Sequence, residues 1–392
     1  MRILTIQASY FPMIGGAEIF HQKTAEWMVK QRHQVDVVTC IWDKPDVKRK
    51  SWKRNQEIIS GVSIFRVKPW FYIHYLKSIG SIWPLYCQSL QLIKLKKYDL
   101  IHAHIFPASI VGALLKKATG LPLIITVQGG DMADYAETGS NFSFFIKPII
   151  SRALKKADLV HTVSDQLKRD VKKIGAMNIR VIPNGVDSLL FKPRNKIKLR
   201  KVLGLESGKF IIISHSRLTP KNGLDILIKA ISRSKSKENV LLLLVGNGEQ
   251  ESDLRRLTNQ LCLQKQVRFY GYQPKEMVAK LLATADIFVR PSRQEGFGIS
   301  FLEAMASGIP VIGTEIGGIT DFIKDGQNGL LIKKAVVGEL INKIEYLQAN
   351  KNLQQVLGKN SRLTAQKYSW SKICSHIESQ YQSILNKNMY GK

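Results

Sequence analysis

Cysteine is scarce in this 392-residue chain, and its scarcity narrows the structural classes to which the protein can belong. The four cysteines, at positions 40, 87, 262 and 374, are far apart and form no Cys-x-x-Cys pair. This pattern argues against a disulfide-stapled secreted domain and against a cysteine-based zinc site. It fits a protein that works in a reducing cytoplasm.

Long apolar runs are also missing. No stretch approaches the roughly 18 apolar residues that a membrane-spanning helix requires. The apolar start of the chain is interrupted by Gln7 and Ser9, so a buried first strand explains it better than a secretion signal does. We therefore expect a cytoplasmic protein, with a peripheral position on the inner face of the plasma membrane left open.

Acidic residues are few: 30 Asp and Glu stand against 59 Lys and Arg, which gives a net charge of +29. Such a charge first suggests nucleic acid. The excess is spread evenly, however, with 27 basic and 13 acidic residues in positions 1–185 and 32 and 17 in positions 186–392. No zinc-ligand spacing, RNA-binding strand motif or helix-turn-helix accompanies it, so we expect no nucleic-acid partner. An anionic membrane surface fits better, because each nearby Lys or Arg adds about 1 kcal/mol of attraction.

Short β-branched runs alternate with helix-length segments along the whole chain. Strands are predicted at 3–8, 35–40, 62–67, 100–103, 123–127, 159–163, 179–182, 210–214, 240–245, 267–270, 287–289, 311–312 and 330–332. This alternation predicts an α/β protein whose parallel sheets are covered by helices on both faces. We expect two doubly wound, Rossmann-like domains, at 1–186 and 187–370, followed by a C-terminal helix within 371–392. The polar, basic segment 184–201 is expected to be the linker.

The most informative segment runs from Arg290 to Gly308 and has the sequence RPSRQEGFGISFLEAMASG. It places Glu295 and Glu303 eight residues apart, across a turn between a predicted strand and a predicted helix. Gly296 and Gly298 leave room for backbone amides to approach an anion, and carboxylates accept hydrogen bonds from vicinal hydroxyls. A nucleotide sugar carries both groups. The alternative, two solvated acids at a helix start, leaves the glycines unexplained.

The stretch EGFGISFLEAMASGIPVI resembles the signature of the retaining, metal-independent glycosyltransferases of family four, which have the GT-B fold. Further motifs similar to those of that family follow its order: GGAE (15–18), DLIHAH (99–104), ITVQGGD (125–131), IPNGVD (182–187), SRLTPKNG (216–223) and LLLVGNGE (242–249). The resemblance covers most of the chain. It implies two Rossmann-like domains facing across a cleft, with the last helix crossing back onto the first domain.

The resemblance assigns most of the donor site to the second domain. It implies that Glu303 accepts the ribose hydroxyls and that Glu295, a catalytic candidate, holds a hydroxyl of the transferred sugar. It also implies that Arg217 and Lys221 bind the pyrophosphate, although the family has its lysine one position later, where this chain has Asn222. The other donor-binding candidates are Gly16, Gly246, Gly296, Phe297 and Gly298.

The chain contains no Asp-x-Asp pair of the kind that holds a divalent metal in many nucleotide-sugar transferases. We therefore expect no metal and no cofactor. Positive side chains and helix N-termini would then balance the charge of the departing nucleoside diphosphate.

In the first domain the chain departs from the family pattern at Gln128, where histidine is usual. Glutamine can orient a sugar hydroxyl but cannot exchange protons at neutral pH, so we assign it no general-base role. Gln128 and Asp131 remain catalytic candidates, and His104 is an acceptor-side candidate. His102 and His104 are expected to point to opposite faces of their strand. Two further histidines are expected to be structural: His161 and His215.

The segment 68–97 combines aromatic residues with lysines at 77, 94, 96 and 97. Its aromatic residues are Trp70, Phe71, Tyr72, Tyr75, Trp83 and Tyr86. Aromatic rings beside cations suit a bilayer interface and a lipid-linked acceptor. The alternative is a helix pair that packs on the first sheet and leaves a solvated basic end.

The resemblance therefore implies a hexosyltransferase that moves a sugar from a UDP- or GDP-linked donor to a hydroxyl of a lipid-linked or cell-surface glycan. Gln128 keeps an alternative open: a GT-B relative that hydrolyses or epimerises its donor, or that serves as an inactive partner. The sequence does not identify the base, the sugar or the acceptor.

Overall fold

The computed structural model describes residues 1–12, 15–41, 56–70, 77–129, 142–333 and 336–390. The chain forms two compact units. Unit 1 comprises Met1–Asn184 together with Ser371–Lys392, and unit 2 comprises Gly185–Trp370. Unit 1 is thus discontinuous in sequence, because all of unit 2 lies between its two segments.

In the described part of unit 1, the strands of the first segment form a single sheet. Its strands are β1 (Arg2–Gln7), β2 (Gln34–Cys40), β3 (Gln56–Ile59), β4 (Val62–Val67), β5 (Leu100–His104), β6 (Leu123–Val127), β7 (Leu159–Thr162) and β8 (Ile179–Val181). Their order is β3-β4-β2-β1-β5-β6-β7-β8, and only the β3–β4 pair is antiparallel. The central strands β1, β2, β5 and β6 are buried along almost their whole length because helices cover both faces of the sheet.

The helices of unit 1 connect these strands. They are α1 (Gly16–Lys30), α2 (Lys77–Gly80), α3 (Ile82–Leu95), α4 (Ile105–Thr119), α5 (Phe142–Lys156) and α6 (Asp165–Lys173). Helix α1 buries positions 20, 21, 24, 25 and 28, which fall on one face at the spacing of an amphipathic helix.

Unit 2 contains a second, entirely parallel sheet. Its strands are β9 (Phe210–His215), β10 (Val240–Val245), β11 (Val267–Gly271), β12 (Ile287–Arg290), β13 (Val311–Thr314) and β14 (Leu330–Ile332). Their order is β11-β10-β9-β12-β13-β14. All six residues of β10 are buried, as expected for an inner strand with helices on both faces.

The helices of unit 2 alternate with its strands. They are α7 (Lys196–Val202), α8 (Leu224–Arg233), α9 (Glu251–Gln260), α10 (Lys275–Thr284), α11 (Ile299–Ala306), α12 (Ile319–Phe322), α13 (Val337–Ala349) and α14 (Lys351–Ala365). Helix α15 (Trp370–Tyr390) starts at the last residue of unit 2 and otherwise belongs to unit 1.

Helix α15 makes specific polar contacts with the first segment of unit 1. The carboxylate of Glu378 accepts a hydrogen bond from Trp27 Nε1 at 3.2 Å and lies 2.8 Å from Nε2 of His33. The hydroxyl of Tyr381 lies 2.5 Å from Nδ1 of His102. The last helix therefore completes the polar interior of unit 1.

The α/β class and all thirteen predicted strands are confirmed, with boundaries that shift by one or two residues. Strand β3 was not predicted, because it is short and not fully buried and therefore lacks a continuous apolar run. Its two-residue connection to β4, Ser60-Gly61, has positive φ at both positions, as tight hairpins require.

The predicted linker 184–201 is wrong in its second half. Residues from Lys196 onward form α7, and Arg200 in that helix is buried. Its guanidinium donates hydrogen bonds to the carbonyl of Thr284 at 2.9 Å and to Asp286 at 2.7 Å. A basic segment can thus be structural when its charge has a buried partner.

All four cysteines are free; Cys40 and Cys374 are buried, and Cys87 and Cys262 are exposed. Among the described residues, no helix is both long enough and apolar enough to cross a bilayer.

Candidate functional site

Four neighbouring strands of unit 2, in the order β10, β9, β12 and β13, end at the same edge of the parallel sheet. The loops that follow them, at 246–250, 216–223, 291–298 and 315–318, therefore gather at this edge, where open α/β sheets bind ligands. These loops carry most of the donor-site residues predicted from the sequence. We call this group of loops the strand-end site.

Two glycines let these loops touch backbone to backbone. A Cβ added to Gly246 (φ +131°) would lie 1.9 Å from the carbonyl oxygen of Ser216. A Cβ added to Gly317 (φ +53°) would lie 1.9 Å from the carbonyl oxygen of Glu295. No side chain fits at either position, so the glycines hold neighbouring loops in direct contact.

Arg293 ties the loop after β12 to the loop after β9. Its backbone amide donates to the carbonyl of Lys221 at 2.7 Å. Its guanidinium forms a two-pronged pair with Asp225 at 2.7 and 2.8 Å and donates to the carbonyl of Pro220 at 2.7 Å. Burial alone would raise the pKa of Asp225, but the hydrogen bonds and charge of Arg293 lower it overall. The two loops are thus fixed to each other by charge-assisted bonds.

The cationic candidates Arg217 and Lys221 lie in the loop after β9. Arg217 is exposed, Lys221 is partly exposed, and neither side chain forms an ion pair within the described part of the chain. Asn222, at the family's lysine position, is buried and donates to the carbonyl of Arg217 at 2.6 Å. The amide thus stabilises the loop, and the two cations remain available to an anionic ligand.

Glu303 lies within α11 and is 5% exposed. Its Oε2 is 3.3 Å from Nδ1 of His215, the last residue of β9. His215, expected from the sequence to be structural, thus lies beside a carboxylate that is predicted to bind the donor. Its position at the carboxyl end of a strand was the signal available in the sequence.

Glu295 lies in the loop after β12, and its Oε2 accepts a hydrogen bond from Nη2 of Arg290. Arg290 is the last residue of β12 and is 5% exposed. No role was predicted for Arg290. The sequence signal was a single charged residue in the otherwise apolar strand Ile287–Arg290.

The three residues after Glu295 have different environments. Gly296 is partly exposed, and Gly298 (φ +100°) immediately precedes α11. Phe297 is buried, with its ring 5.1 Å from that of Phe322 and 6.1 Å from that of Tyr368. The Phe297 ring thus anchors the loop in the core of unit 2, and of the two glycines only Gly296 leaves its backbone partly exposed.

In unit 1, the predicted donor residue Gly16 is the exposed first residue of α1. Glu18 in the first turn accepts a hydrogen bond from the hydroxyl of Ser9 at 2.6 Å. This bond links the start of the helix to the segment that follows β1.

The prediction that His102 and His104 point to opposite faces is wrong. Residues two apart on a strand share a face, and the two rings lie 3.7 Å apart, centroid to centroid. The ring of His21 from α1 lies 3.7 Å from that of His104. Thr126 Oγ1 lies 2.6 Å from Nε2 of His102 and 3.0 Å from Nδ1 of His161. These four histidines form a buried histidine cluster.

The histidine cluster is uncharged at neutral pH. Burial lowers the pKa of His21 to about 3 and that of His161 to about 4. Burial and the neighbouring imidazoles hold the pKa values of His102 and His104 well below the ordinary value. His104 is only 2% exposed, so its acceptor-side role stays a prediction that the geometry does not favour.

Of the two catalytic candidates in unit 1, Gln128 follows β6 and is partly exposed. Its Nε2 is buried and has no hydrogen-bond partner among the residues that the structure describes. Asp131 lies outside the described residues, and its role stays a prediction. Within the described ranges, no group of three or more His, Cys, Asp or Glu side chains is arranged to hold a metal ion.

Three aromatic residues of the segment 68–97 form an aromatic patch on unit 1. Trp70 is 68% exposed and Trp83 is 51% exposed; their rings lie 6.2 Å apart. Tyr86 stacks on Trp83 at 5.6 Å. The other three predicted members, Phe71, Tyr72 and Tyr75, lie outside the described residues.

Two family models match the chain. The model described as Glycosyltransferase Family 4 matches residues 14–188, and the model described as Glycosyl transferases group 1 matches residues 195–364. Together they match most of the first segment of unit 1 and most of unit 2.

Individual relatives carry related descriptions. An uncharacterized glycosyltransferase of Methanocaldococcus jannaschii is 28% identical over 97% of this chain and 98% of its own length. The UDP-Gal:alpha-D-GlcNAc-diphosphoundecaprenol alpha-1,3-galactosyltransferase of Escherichia coli is 28% identical over 74% of this chain and 75% of its own length. The crystal structure of Anabaena HepE in complex with UDP-glucose superposes with a TM-score of 0.80, at 25% identity, covering 98% of this chain and all of HepE. The predicted GT-B fold is confirmed.

Proposed function

Because the chain belongs to the group 1 glycosyltransferases, we propose that it is a hexosyltransferase that transfers a sugar from a nucleoside-diphosphate donor to an acceptor hydroxyl. The main support is the strand-end site. It brings Arg217 and Lys221, which form no ion pair in the described structure, together with Glu295 in loops that touch one another, and Glu303 follows in α11 beside His215 at the end of β9. Cations can bind the negatively charged diphosphate. Carboxylates can accept hydrogen bonds from the hydroxyls of the ribose and of the transferred sugar, which flank the diphosphate.

In this proposal each residue binds one part of the donor. Arg217 and Lys221 bind the pyrophosphate, and Glu303 accepts hydrogen bonds from the ribose hydroxyls. Glu295 accepts one from the transferred sugar, and Gly246 lets the backbone approach the nucleobase. The donor's charge is balanced by side chains and by the N-terminus of α11, so no metal or cofactor is included.

We propose a retaining mechanism. The acceptor oxygen forms a bond to the anomeric carbon on the face from which the diphosphate leaves. The bond between the anomeric carbon and the phosphate oxygen of the donor breaks. The acceptor proton passes to the departing phosphate oxygen, so no side chain has to remove it. The uncharged amide of Gln128 fits this scheme, because it can orient a hydroxyl without exchanging protons.

We propose UDP as the nucleotide of the donor. The Anabaena structure contains UDP-glucose, and the E. coli relative is described as using UDP-Gal. GDP and GDP-sugars are the comparison ligands in the test below.

We propose that the acceptor is lipid-linked and that the protein works at the cytoplasmic face of an anionic membrane. The described acceptor of the E. coli relative, a diphosphoundecaprenol-linked sugar, supports this proposal. The aromatic patch of Trp70, Trp83 and Tyr86 supports it as well, because exposed Trp and Tyr rings partition to bilayer interfaces. The net charge of +29 would attract anionic headgroups.

Calorimetry with UDP and GDP tests the donor assignment. Replacing a carboxylate that accepts ribose hydroxyl bonds removes charge-assisted hydrogen bonds, each with about 1.5–3 kcal/mol of stabilisation. Glu303→Ala is therefore expected to weaken UDP binding at least about 10-fold. The control, Glu251→Ala, removes an acid from the first turn of α9 and should leave UDP affinity unchanged. Undiminished binding by Glu303→Ala would remove the ribose assignment.

Gln128 favours a second candidate, a GT-B enzyme that consumes its donor without an acceptor. The two candidates differ in one measurement, the release of UDP from UDP-sugars with and without a bacterial lipid extract. Release that requires the extract supports transfer. Equal release without the extract supports hydrolysis or epimerisation instead.

A further inference from the structure

Arg290 is a buried arginine whose charge needs an explanation. Removing a guanidinium from water is costly unless its donors are satisfied. Here Nε donates to Ser292 Oγ at 3.1 Å, Nη1 donates to Ser300 Oγ at 2.6 Å, and Nη2 donates to Glu295. The guanidinium carbon also lies 4.7 Å from the ring centroid of Phe301. Every nitrogen of the side chain thus has a specific acceptor.

This arrangement does not suit a group that binds phosphate directly. A phosphate-binding arginine needs free N–H groups that face solvent, as the exposed Arg217 offers in the same unit. Arg290 is enclosed and already bonded to three side-chain oxygens. Its only charged partner in the described structure is Glu295, so its effect on a ligand has to pass through that carboxylate.

The pair leaves one carboxylate oxygen available. Oε2 of Glu295 is bonded to Arg290, whereas Oε1 accepts no hydrogen bond from the described residues. Gly298 lies directly against the pair: an added Cβ would be 3.6 Å from Nη2 of Arg290 and 3.6 Å from Cγ of Glu295. No side chain of this residue therefore covers the carboxylate.

We infer that Arg290 is a positioning residue for the transferred sugar. It fixes one oxygen of Glu295 so that the other faces a hydroxyl of the donor. This inference rests on the proposed function, and it adds a residue that acts on the sugar without touching it. Holding the carboxylate in one orientation removes rotamer freedom before the sugar binds, so less entropy is lost when it does.

A double-mutant cycle tests this role. Calorimetry gives Kd for UDP and for UDP-glucose in the wild type, Arg290→Met, Glu295→Gln and the double variant. The quantity of interest is the ratio of the two Kd values, because it isolates the glucosyl group. Arg290→Met is expected to raise the ratio of Kd for UDP-glucose to Kd for UDP about 10-fold, and to change Kd for UDP itself by less than about 3-fold.

The effects of Arg290→Met and Glu295→Gln on the ratio of Kd values should not be additive. If Arg290 acts through Glu295, the double variant has the ratio of Glu295→Gln alone. Arg290→Lys, which keeps a cation, should restore part of the shift and serves as the test variant if Arg290→Met does not fold. The control, Arg255→Met, removes another arginine–glutamate pair on α9 and should leave the ratio at its wild-type value.

Three results overturn the inference. A wild-type ratio in both Arg290→Met and Arg290→Lys shows that the guanidinium does not influence sugar binding. Fully additive effects show that Arg290 acts on the ligand independently of Glu295. Failure of the wild type to bind either UDP or UDP-glucose removes the proposed UDP donor, and this inference with it, before any variant is compared.

Discussion

Acidification is expected to unfold unit 1 because of its buried histidine cluster. The imidazoles of His21 and His161 are held neutral, with pKa values lowered by burial to about 3 and about 4. In the unfolded chain the same groups have the ordinary pKa of about 6.5. Below pH 6.5 the unfolded chain therefore binds protons at these imidazoles, whereas the folded unit does not. The free energy of unfolding consequently falls as the pH falls.

The size of the effect follows from proton linkage. Each histidine that is neutral in the folded state and protonated in the unfolded state contributes a slope of about 1.4 kcal/mol per pH unit. Integrated between pH 6 and pH 4, these two histidines lower the free energy of unfolding by about 5 kcal/mol. Typical domains have only about 5–15 kcal/mol in total. The contribution is complete above pH 6.5 and is lost progressively as the pH falls, down to about pH 4 for His161 and about pH 3 for His21.

Urea unfolding of the full chain, followed by tryptophan fluorescence at several pH values, measures this loss. Five of the six tryptophans, at positions 27, 42, 52, 70, 83 and 370, precede residue 184, so the signal reports mainly on unit 1. The midpoint should fall steeply between about pH 6.5 and about pH 4.5. His21→Gln places a side chain without a titratable group at position 21. The dependence of the unfolding free energy on pH should therefore be weaker than in the wild type by the contribution of one histidine. A midpoint that stays constant from pH 7 to pH 5 would refute the argument.

Two further predictions concern the strand-end site and the aromatic patch. Gly317→Ala places a Cβ against the carbonyl of Glu295, so we expect donor turnover to fall at least about 10-fold, about 1.4 kcal/mol in the barrier. Gly338→Ala, where an added Cβ meets no atom within 4 Å, is the control and should keep wild-type turnover. Replacing Trp70 and Trp83 by serine should weaken sedimentation with phosphatidylglycerol vesicles several-fold, and equal binding of both proteins would contradict a membrane role for the patch. Neutral phosphatidylcholine vesicles provide the baseline for that assay.

The fold could be predicted closely because parallel α/β sheets leave a strong local signal. Their inner strands are buried on both faces and appear as short apolar runs, as VLLLLV in β10 does. Strand β3 escaped prediction because an antiparallel edge strand has no such run. The linker prediction failed at Arg200, since composition does not reveal that a charged residue has a buried partner.

The candidate site could be located from the sequence, but its internal contacts could not. Positions 217 and 295 lie in loops at the same edge of the sheet because parallel strands end there, which the topology alone implies, and Glu303 follows in α11. The bonds of Arg290 to Glu295 and the approach of His215 to Glu303 depend on side-chain direction, which motif matching does not report. The error at His102 had a simpler cause, because the two-residue period of a strand was enough to place it beside His104.

The division of unit 1 into two segments has a consequence for synthesis on the ribosome. The partners of Trp27 and His102 are Glu378 and Tyr381, which lie 351 and 279 residues further along the chain. The 186 residues of Gly185–Trp370 are translated in between, which takes about 10–40 s at common elongation rates. Throughout that interval the nascent first segment has an interior that lacks helix α15, so a premature stop codon before residue 371 would damage the part of the protein that was made first.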